Sequence, residues 1–496
     1  MNYISTRNGK ISVSAAKAIA QGISEDGGLF VPENIPALTD EDFKVLKDAT
    51  YSERASFILK KFLTDFTDSE VDYCTKSAYI GNFESDNPSP LTFLEENLSV
   101  MELWHGPTCA FKDLALQILP FLLTTSASKV SKGKKTVILV ATSGDTGKAA
   151  LEGFCDVEGT EIIVFYPSEG VSAMQKLQMD TQKGKNVCVY AIEGNFDDAQ
   201  TGVKNIFSDK KAAEKLRNNN MLFSSANSIN WGRLVPQIVY YVSAYCDLIK
   251  KGSDLNRGFN VTVPTGNFGN ILAAYYAKKM GVPINKLVCA SNANKVLTDF
   301  LSTGIYDRNR HFYTTASPSM DILISSNLER MLFEATNRND ALTVEWQNSL
   351  KKDGKYFVGE EVKEKLDKIF YGGYCDDEKT FKTIKEVYEK YKYLCDTHTA
   401  VAFSVSEEYM KNTGDDRPMV VVSTASPYKF AASVIKALNG EPSNDEFETV
   451  QKLSDITGTA IPDPIKNLKG MPVRFKNICK KEDMEKAVLD HLKING

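Results

Sequence analysis

TVILVATSGDTGKAALEGF, residues Thr136 to Phe154, carries in one stretch the pattern that decides the fold. A nearly continuous β-branched run leads into a Ser/Thr/Gly turn and then into a segment with helical spacing. A strand buried on both faces reads this way, whereas a half-exposed strand alternates apolar and polar residues. The same pattern recurs outward from it. EIIVFY (Glu161 to Tyr166), VCVYAI (Val187 to Ile192), FNVTV (Phe259 to Val263), LVCAS (Leu287 to Ser291) and MVVVS (Met419 to Ser423) are runs of the same kind. SAMQKLQMDTQKG and DDAQTGVKNIFSDKKAAEKL lie between runs and have helical spacing. Alternating strand and helix predicts an α/β chain of βαβ units around parallel sheets, with right-handed crossovers.

The flanks read differently. The first 85 residues or so hold DGGLFVPENIPALTD, with a Gly-Gly turn and prolines followed by charged helical stretches, and predict an N-terminal subdomain (1–85). Residues 86–440 are expected to form the core, with a smaller α/β domain at about 125–230 inserted in a larger one, and residues 441–496 an extension packed on the larger domain. The Lys-, Glu- and Tyr-rich region 337–393 reads as amphipathic surface helices with a solvated charged face.

Composition bounds the function. The chain has 496 residues, 42% hydrophobic and 25% charged, with a net charge of −5. A core of ample size can form without a disulfide or metal staple. No basic face is evident, which argues against nucleic acid or an anionic membrane as partner. The cysteines, at 74, 109, 155, 188, 246, 289, 375, 395 and 479, include no C-x-x-C pair. They argue against zinc ribbons and a disulfide framework and for a reducing, cytoplasmic setting. Histidines at 105, 311, 398 and 491 are too scattered for a metal site. MNYISTRNGK has no apolar stretch of the signal-peptide type, and no apolar run is long enough to span a membrane.

In an open α/β sheet, ligands bind at the carboxyl ends of the strands, and the turns there are the chemical candidates. PTGNFGN (Pro264 to Asn270) follows a strand and precedes ILAAYYAKKM, a plausible helix. Closely spaced glycines let successive N–H groups of Gly266, Asn267, Phe268, Gly269 and Asn270 converge on an anion such as a phosphate. An ordinary strand-to-helix turn uses the same residues. SGDTG (Ser143 to Gly147) is not a nucleotide P-loop, because Walker A needs four residues between its first Gly and Gly-Lys. Its hydroxyls and N–H groups suit a carboxylate, and they suit equally a helix start capped by Asp145 or Thr146. HGPTCAFKD (His105 to Asp113) sets Lys112 after a compact Gly-Pro turn and an apolar step. An amine held and shielded there falls from a pKa of about 10.4 toward neutrality, as a Schiff-base lysine requires. NSINWGR (Asn227 to Arg233) offers Arg233 for bidentate oxyanion binding, against the plain alternative of a surface arginine. STASPYKF (Ser423 to Phe430) places the Ser423 and Thr424 hydroxyls at the end of a buried strand, where one can bond an uncharged ring nitrogen or simply close the turn. His105 reads as an orienting residue for the lysine loop, a substrate contact or a structural histidine, and His398 is assigned no role.

Taken in order, STR (Ser5 to Arg7), DGGLFVPENIP, HGPTCAFKD, ATSGDTG, SSANSINWGR, PTGNFGN, SPSMDILISSNLER (Ser317 to Arg330) and STASPYKF resemble the threonine synthase family over nearly the whole chain. The resemblance implies a fold-type II pyridoxal-phosphate enzyme, tryptophan synthase β-like, with two parallel-sheet domains and an N-terminal subdomain. It implies pyridoxal 5′-phosphate joined to Lys112, with its phosphate on Gly266 to Asn270, its ring nitrogen facing Thr424 and its 3′-oxygen near Asp145. It implies O-phospho-L-homoserine as substrate of a carbon–oxygen lyase, with its carboxylate on Ser143, Thr146 and neighbours and its phosphate on Asn227, Ser228 and Arg233. The products implied are L-threonine and phosphate, and the assembly a monomer or homodimer. Relatives commonly read His-Pro-x-Lys-Phe where this chain has Ser426-Pro427-Tyr428-Lys429-Phe430. Rival readings are another fold-type II lyase, such as a serine/threonine dehydratase or a phospho-lyase of the threonine-synthase-like group, and a catalytically inactive homologue with a binding role.

Overall fold

A computed structural model of the chain describes residues 1–131, 133–142, 144–168 and 171–494, with the backbone alone at 197 and 208. The runs read as strands form two sheets. The smaller is five-stranded and parallel, in the order Asn477–Lys480, Val187–Glu193, Thr160–Pro167, Lys135–Ala141 and Met221–Ser225. The larger is six-stranded, in the order Phe370–Tyr374, Ile284–Ser291, Phe259–Pro264, Met419–Ser423, Leu98–Glu102 and Leu91–Glu95. Its strands are parallel except for the last, which joins as an antiparallel hairpin. The central strands are buried along their whole length, which is why they read as unbroken apolar runs.

The core is thus α/β, built on two mainly parallel sheets. A three-stranded antiparallel sheet, Asn8–Ser14, Asn2–Ser5 and Phe30–Pro32, begins the N-terminal region. That region is tied to the core through the SNLER segment. Thr6 donates to Glu329 at 2.6 Å, and Arg7 donates to both Glu329 oxygens at 3.0 and 2.7 Å. The buried Arg330 donates to the carbonyls of Phe30 and Ile229 at 3.0 and 2.6 Å. Asn327, beside it, holds the Asn267 carbonyl from both its backbone and side-chain nitrogens at 3.1 Å. The STR and DGGL motifs therefore brace the glycine–asparagine bend from below.

Two expectations change. Residues 441–496 do not all pack on the larger domain. The helix Glu446–Thr457 does pack there, but Asn477–Lys480 pairs with Val187–Glu193 at the edge of the smaller sheet. Met484, Val488 and Leu489 then pack with Val203, Ile206 and Leu216. An exposed parallel edge offers unpaired N–H and C=O groups, and the tail covers them. Within 337–393 the helices form as read, but Phe370–Tyr374 between them is a strand on the edge of the larger sheet. All nine cysteines are free thiols. Among the described residues no helix is long and apolar enough to cross a membrane.

Candidate active site

The carboxyl ends of both sheets face one cavity of about 250 Å³. It brings together Lys112, Asp145, Thr146, Asn227, Ser228, Arg233, Gly266 to Asn270 and Thr424 from loops far apart in sequence. Ser143 lies outside the described residues.

The lysine loop is held at both ends. Asp113 accepts from Thr108 N and Thr108 Oγ1 at 2.8 and 2.6 Å, and Gly106 passes so close that a Cβ there would fall 2.6 Å from Asp113. The loop is zipped onto the strand end as well. Phe111 N donates to Thr424 O at 2.9 Å and Ser426 N to Cys109 O at 3.1 Å. Lys112 and Thr424 are thereby set against each other. Ser423 faces elsewhere, its hydroxyl accepting from Trp104 Nε1 at 3.0 Å. Ser426 caps the short 3₁₀ turn Pro427–Phe430 by accepting from Tyr428 N at 3.3 Å.

His105 stands behind this loop rather than in the cavity. Its Nδ1 is 2.6 Å from Glu84 and its Nε2 2.8 Å from Glu102, and its ring stacks on Trp104. Burial alone would lower its pKa, but the hydrogen bonds to Glu102 and Glu84 outweigh this and raise it to about 9. A raised folded-state pKa gives stability that is full below the unfolded value near 6.5 and lost as pH climbs through about 9. We expect His105→Gln to cost about 2–3 kcal/mol at pH 6 and much less at pH 9.5, read by urea unfolding at the two pH values.

At SGDTG, Thr142 Oγ1 accepts from Gly144 N and Gly147 N at 3.0 and 2.9 Å and closes the turn. Gly144 has φ of +140°, and a Cβ there would meet the Gln175 amide at 2.5 Å. The helix Asp145–Gly153 starts without a side-chain cap, so Asp145 is not the N-cap that its position allowed. Its carboxylate turns to the cavity floor instead. Oδ1 lies 2.7 Å from Lys429 Nζ and 2.9 Å from Gln175 Nε2; Oδ2 lies 3.5 Å from Lys112 Nζ and 3.4 Å from Ser319 Oγ. Burial alone would raise the Asp145 carboxyl, but Lys429 and Lys112 outweigh it and hold it well below the usual carboxylate range. Burial pulls the Lys112 ammonium below the ordinary lysine range; Asp145 opposes this, while Lys429 and Arg233 add to it. The Phe111 ring centroid is 4.9 Å from the same nitrogen.

Opposite the lysine, the bend Gly266 to Asn270 opens the helix Gly269–Lys279. Phe268 has φ of +60° and is buried, its ring packed on Phe370. A helix start leaves its first N–H groups without intrahelical partners, and this one lines the cavity. Asn270 Oδ1 accepts from the Tyr240 and Tyr241 hydroxyls, which fixes the amide. Its Nδ2 is buried without a hydrogen-bond partner among the described residues. Arg233, in the first turn of Trp231–Lys251, is buried and donates from Nη1 to Ala226 O at 2.5 Å, while its Nε likewise lacks a partner among the described residues. Burial lowers its pKa to about 10, so it stays cationic at neutral pH. Orphaned buried donors and a buried cation are costly unless an anion completes them. These donors fit phosphorylated ligands.

Sequence reading missed several lining residues. Phe196, Gln200 and Lys204 face the cavity from one side of the helix Phe196–Ser208; their fourfold spacing was the available signal. Pro318 to Ile322 close another side. His398 is there too, its Nδ1 2.6 Å from Asp396 and its Nε2 accepting from Ser319 N at 3.1 Å.

Three family models match the chain: threonine synthase N terminus over residues 2–79, pyridoxal-phosphate dependent enzyme over 88–425 and threonine synthase, C-terminal over 399–488. Threonine synthase of Pseudomonas aeruginosa is 39% identical over 442 residues, covering 89% of this chain and 91% of that protein. Threonine synthase-like 1 of Pongo abelii is 40% identical over 462 residues, covering 89% of this chain but 61% of that protein, so the chain spans about three-fifths of that relative's length. The crystal structure of the pyridoxal-phosphate-bound threonine synthase from Brucella melitensis superposes with a TM-score of 0.88 at 36% identity, covering 99% of each chain.

Proposed function

The chain belongs to the threonine synthase family of pyridoxal-phosphate-dependent enzymes, and from that premise we propose that it converts O-phospho-L-homoserine and water to L-threonine and inorganic phosphate. The observation that carries this reading is the shared cavity. Lys112, the helix-start bend and a buried arginine without a carboxylate partner among the described residues open into one space. We assign the cofactor phosphate to Gly266 to Asn270 and the substrate phosphate to Asn227, Ser228 and Arg233, all of which line that space.

In this reading Lys112 would hold the cofactor covalently, the bend Gly266 to Asn270 its phosphate, and Thr424 and Asp145 the polar edge of its ring. Bound there, pyridoxal 5′-phosphate supplies electron withdrawal from the substrate's α-carbon. Thr146 and the SGDTG main chain take the substrate carboxylate. Lys112 Nζ would serve as base at the substrate's Cα and, only after passing that proton on, at Cβ. Arg233, Asn227 and Ser228 hold the phosphate as it leaves Cγ with the bonding pair. Over the whole reaction one hydrogen passes from Cβ to Cγ. Water is divided between the new Cβ hydroxyl and the departing phosphate. Pro318 to Ile322 and the helix carrying Phe196 wall the cavity and limit access of other water.

The rival reading is a lyase of the same fold that releases 2-oxobutyrate, ammonia and phosphate from the same substrate. Incubation with O-phospho-L-homoserine, with both products quantified, separates the two. Threonine in stoichiometric yield with phosphate is the expected result, and 2-oxobutyrate as the main carbon product would replace our reading with the second. We place the enzyme in the cytoplasm as a monomer or homodimer, a setting that suits nine free thiols.

A further inference from the structure

Lys429 is fully buried, yet the reaction as described does not use it. The 3₁₀ turn Pro427–Phe430 drives its side chain under the lysine loop, where Nζ donates to Thr108 O at 2.9 Å and lies 2.7 Å from Asp145 Oδ1. A buried ammonium with two well-placed acceptors is expensive to build and has a definite geometric effect. Gln175 Nε2 takes the same Oδ1 at 2.9 Å. Lys112 is left with Oδ2 alone, at 3.5 Å, shared with the Ser319 hydroxyl.

We infer that Lys429 is a positioning residue for the reaction: by occupying Asp145 Oδ1 it denies Lys112 a close ion pair and keeps the Lys112 amine available to attack a carbonyl carbon. The inference rests on the reading of Lys112 as the cofactor lysine. Asp145, Lys429 and Arg233 act most strongly on Lys112, and Lys204, Asp321 and His398 line the same cavity. Lys429 itself faces Asp145 and Asp113. Without Lys429, Asp145 would turn to Lys112 as its remaining ammonium, and the amine would carry its proton to higher pH. Attachment of the cofactor needs the lone pair: Nζ bonds the aldehyde carbon, and the aldehyde oxygen leaves as water.

The test follows attachment in the 496-residue chain, resolved of cofactor and offered pyridoxal 5′-phosphate. The adduct is trapped by borohydride and mapped by peptide mass. In the wild type we expect attachment at residue 112 with a rate that levels off well below pH 10. In Lys429→Gln the rate at pH 7.5 should fall about tenfold or more and the profile should move at least one unit alkaline, since each unit of pKa is tenfold in free amine. Lys429→Arg should keep the wild-type profile. Coincident profiles for Lys429→Gln and wild type, or a Lys429→Arg profile as alkaline as that of Lys429→Gln, would overturn the inference while leaving the function standing. Should Lys429→Gln not fold, the other two proteins decide, and a wild-type rate that levels off only above pH 10 overturns it. An adduct mapping to any residue but Lys112 removes the functional reading instead.

Discussion

Alanine at position 112 is expected to silence the enzyme while leaving the fold intact. The side chain lines the cavity and is 12% exposed, and its partner Asp145 keeps Lys429 and Gln175 when Lys112 is gone. Truncation therefore leaves no unpaired carboxylate, and stability should change by less than about 1 kcal/mol. Chemistry has no such substitute. Lys112 is proposed to act both as the covalent attachment point and as the base at two carbons. General-base catalysis alone contributes about 10²–10⁴-fold. With the attachment lost as well, turnover of O-phospho-L-homoserine should fall by at least about 10⁴-fold, and the visible absorbance of the attached cofactor should vanish. Far-ultraviolet circular dichroism should match that of the wild type. A Lys112→Ala protein that turns over within tenfold of the wild type would remove the lysine from the mechanism. Lys429 would then be the next candidate nitrogen, although its full burial and its two acceptors argue against it.

How much of this site was legible depended on whether the signal was local. The glycine bend and SGDTG could be read because a strand ending in closely spaced glycines constrains the backbone within a few residues. Gly144 at φ +140° and Phe268 at +60° are the consequences. The six runs read as strands were legible because burial on both faces leaves an unbroken apolar run. Asn477–Lys480 was not, since an exposed edge strand has no such pattern and is defined by the partner it pairs with. The same reasoning accounts for the misplaced tail. Lys429 was in view as part of a motif, but nothing near it in sequence says that its ammonium meets Asp145; the tertiary fold alone supplies that carboxylate. Asp145 offered a locally plausible role as a helix cap, and the two lysines overrode it, because a buried carboxylate gains more from two ammonium groups than from one N–H. For Phe196, Gln200 and Lys204 the helical spacing was visible, but which face of that helix met the cavity was not.

Arg233→Met should separate binding from stability by moving them in opposite directions. In the wild type the guanidinium is buried, cationic at neutral pH, and among the described residues it holds a single hydrogen bond, to Ala226 O. Removing that bond, whose donor is charged, costs about 1.5–3 kcal/mol. Against this stands the desolvation of a charge without a carboxylate partner among the described residues, which is several kcal/mol. A methionine of similar length fills the space, so the ligand-free protein should be no less stable than the wild type, and more stable by about 1 kcal/mol if the helix start repacks. Substrate binding should pay the difference. Truncating one side of a desolvated charge pair costs about 2–5 kcal/mol. The KM for O-phospho-L-homoserine should therefore rise about 10²-fold or more. Attachment of the cofactor at Lys112 should persist, because the bend at Gly266 to Asn270 is untouched. The two measurements are steady-state kinetics and urea unfolding of the ligand-free chain. A destabilised protein with an unchanged KM would make Arg233 a structural arginine and remove it from the substrate-phosphate site.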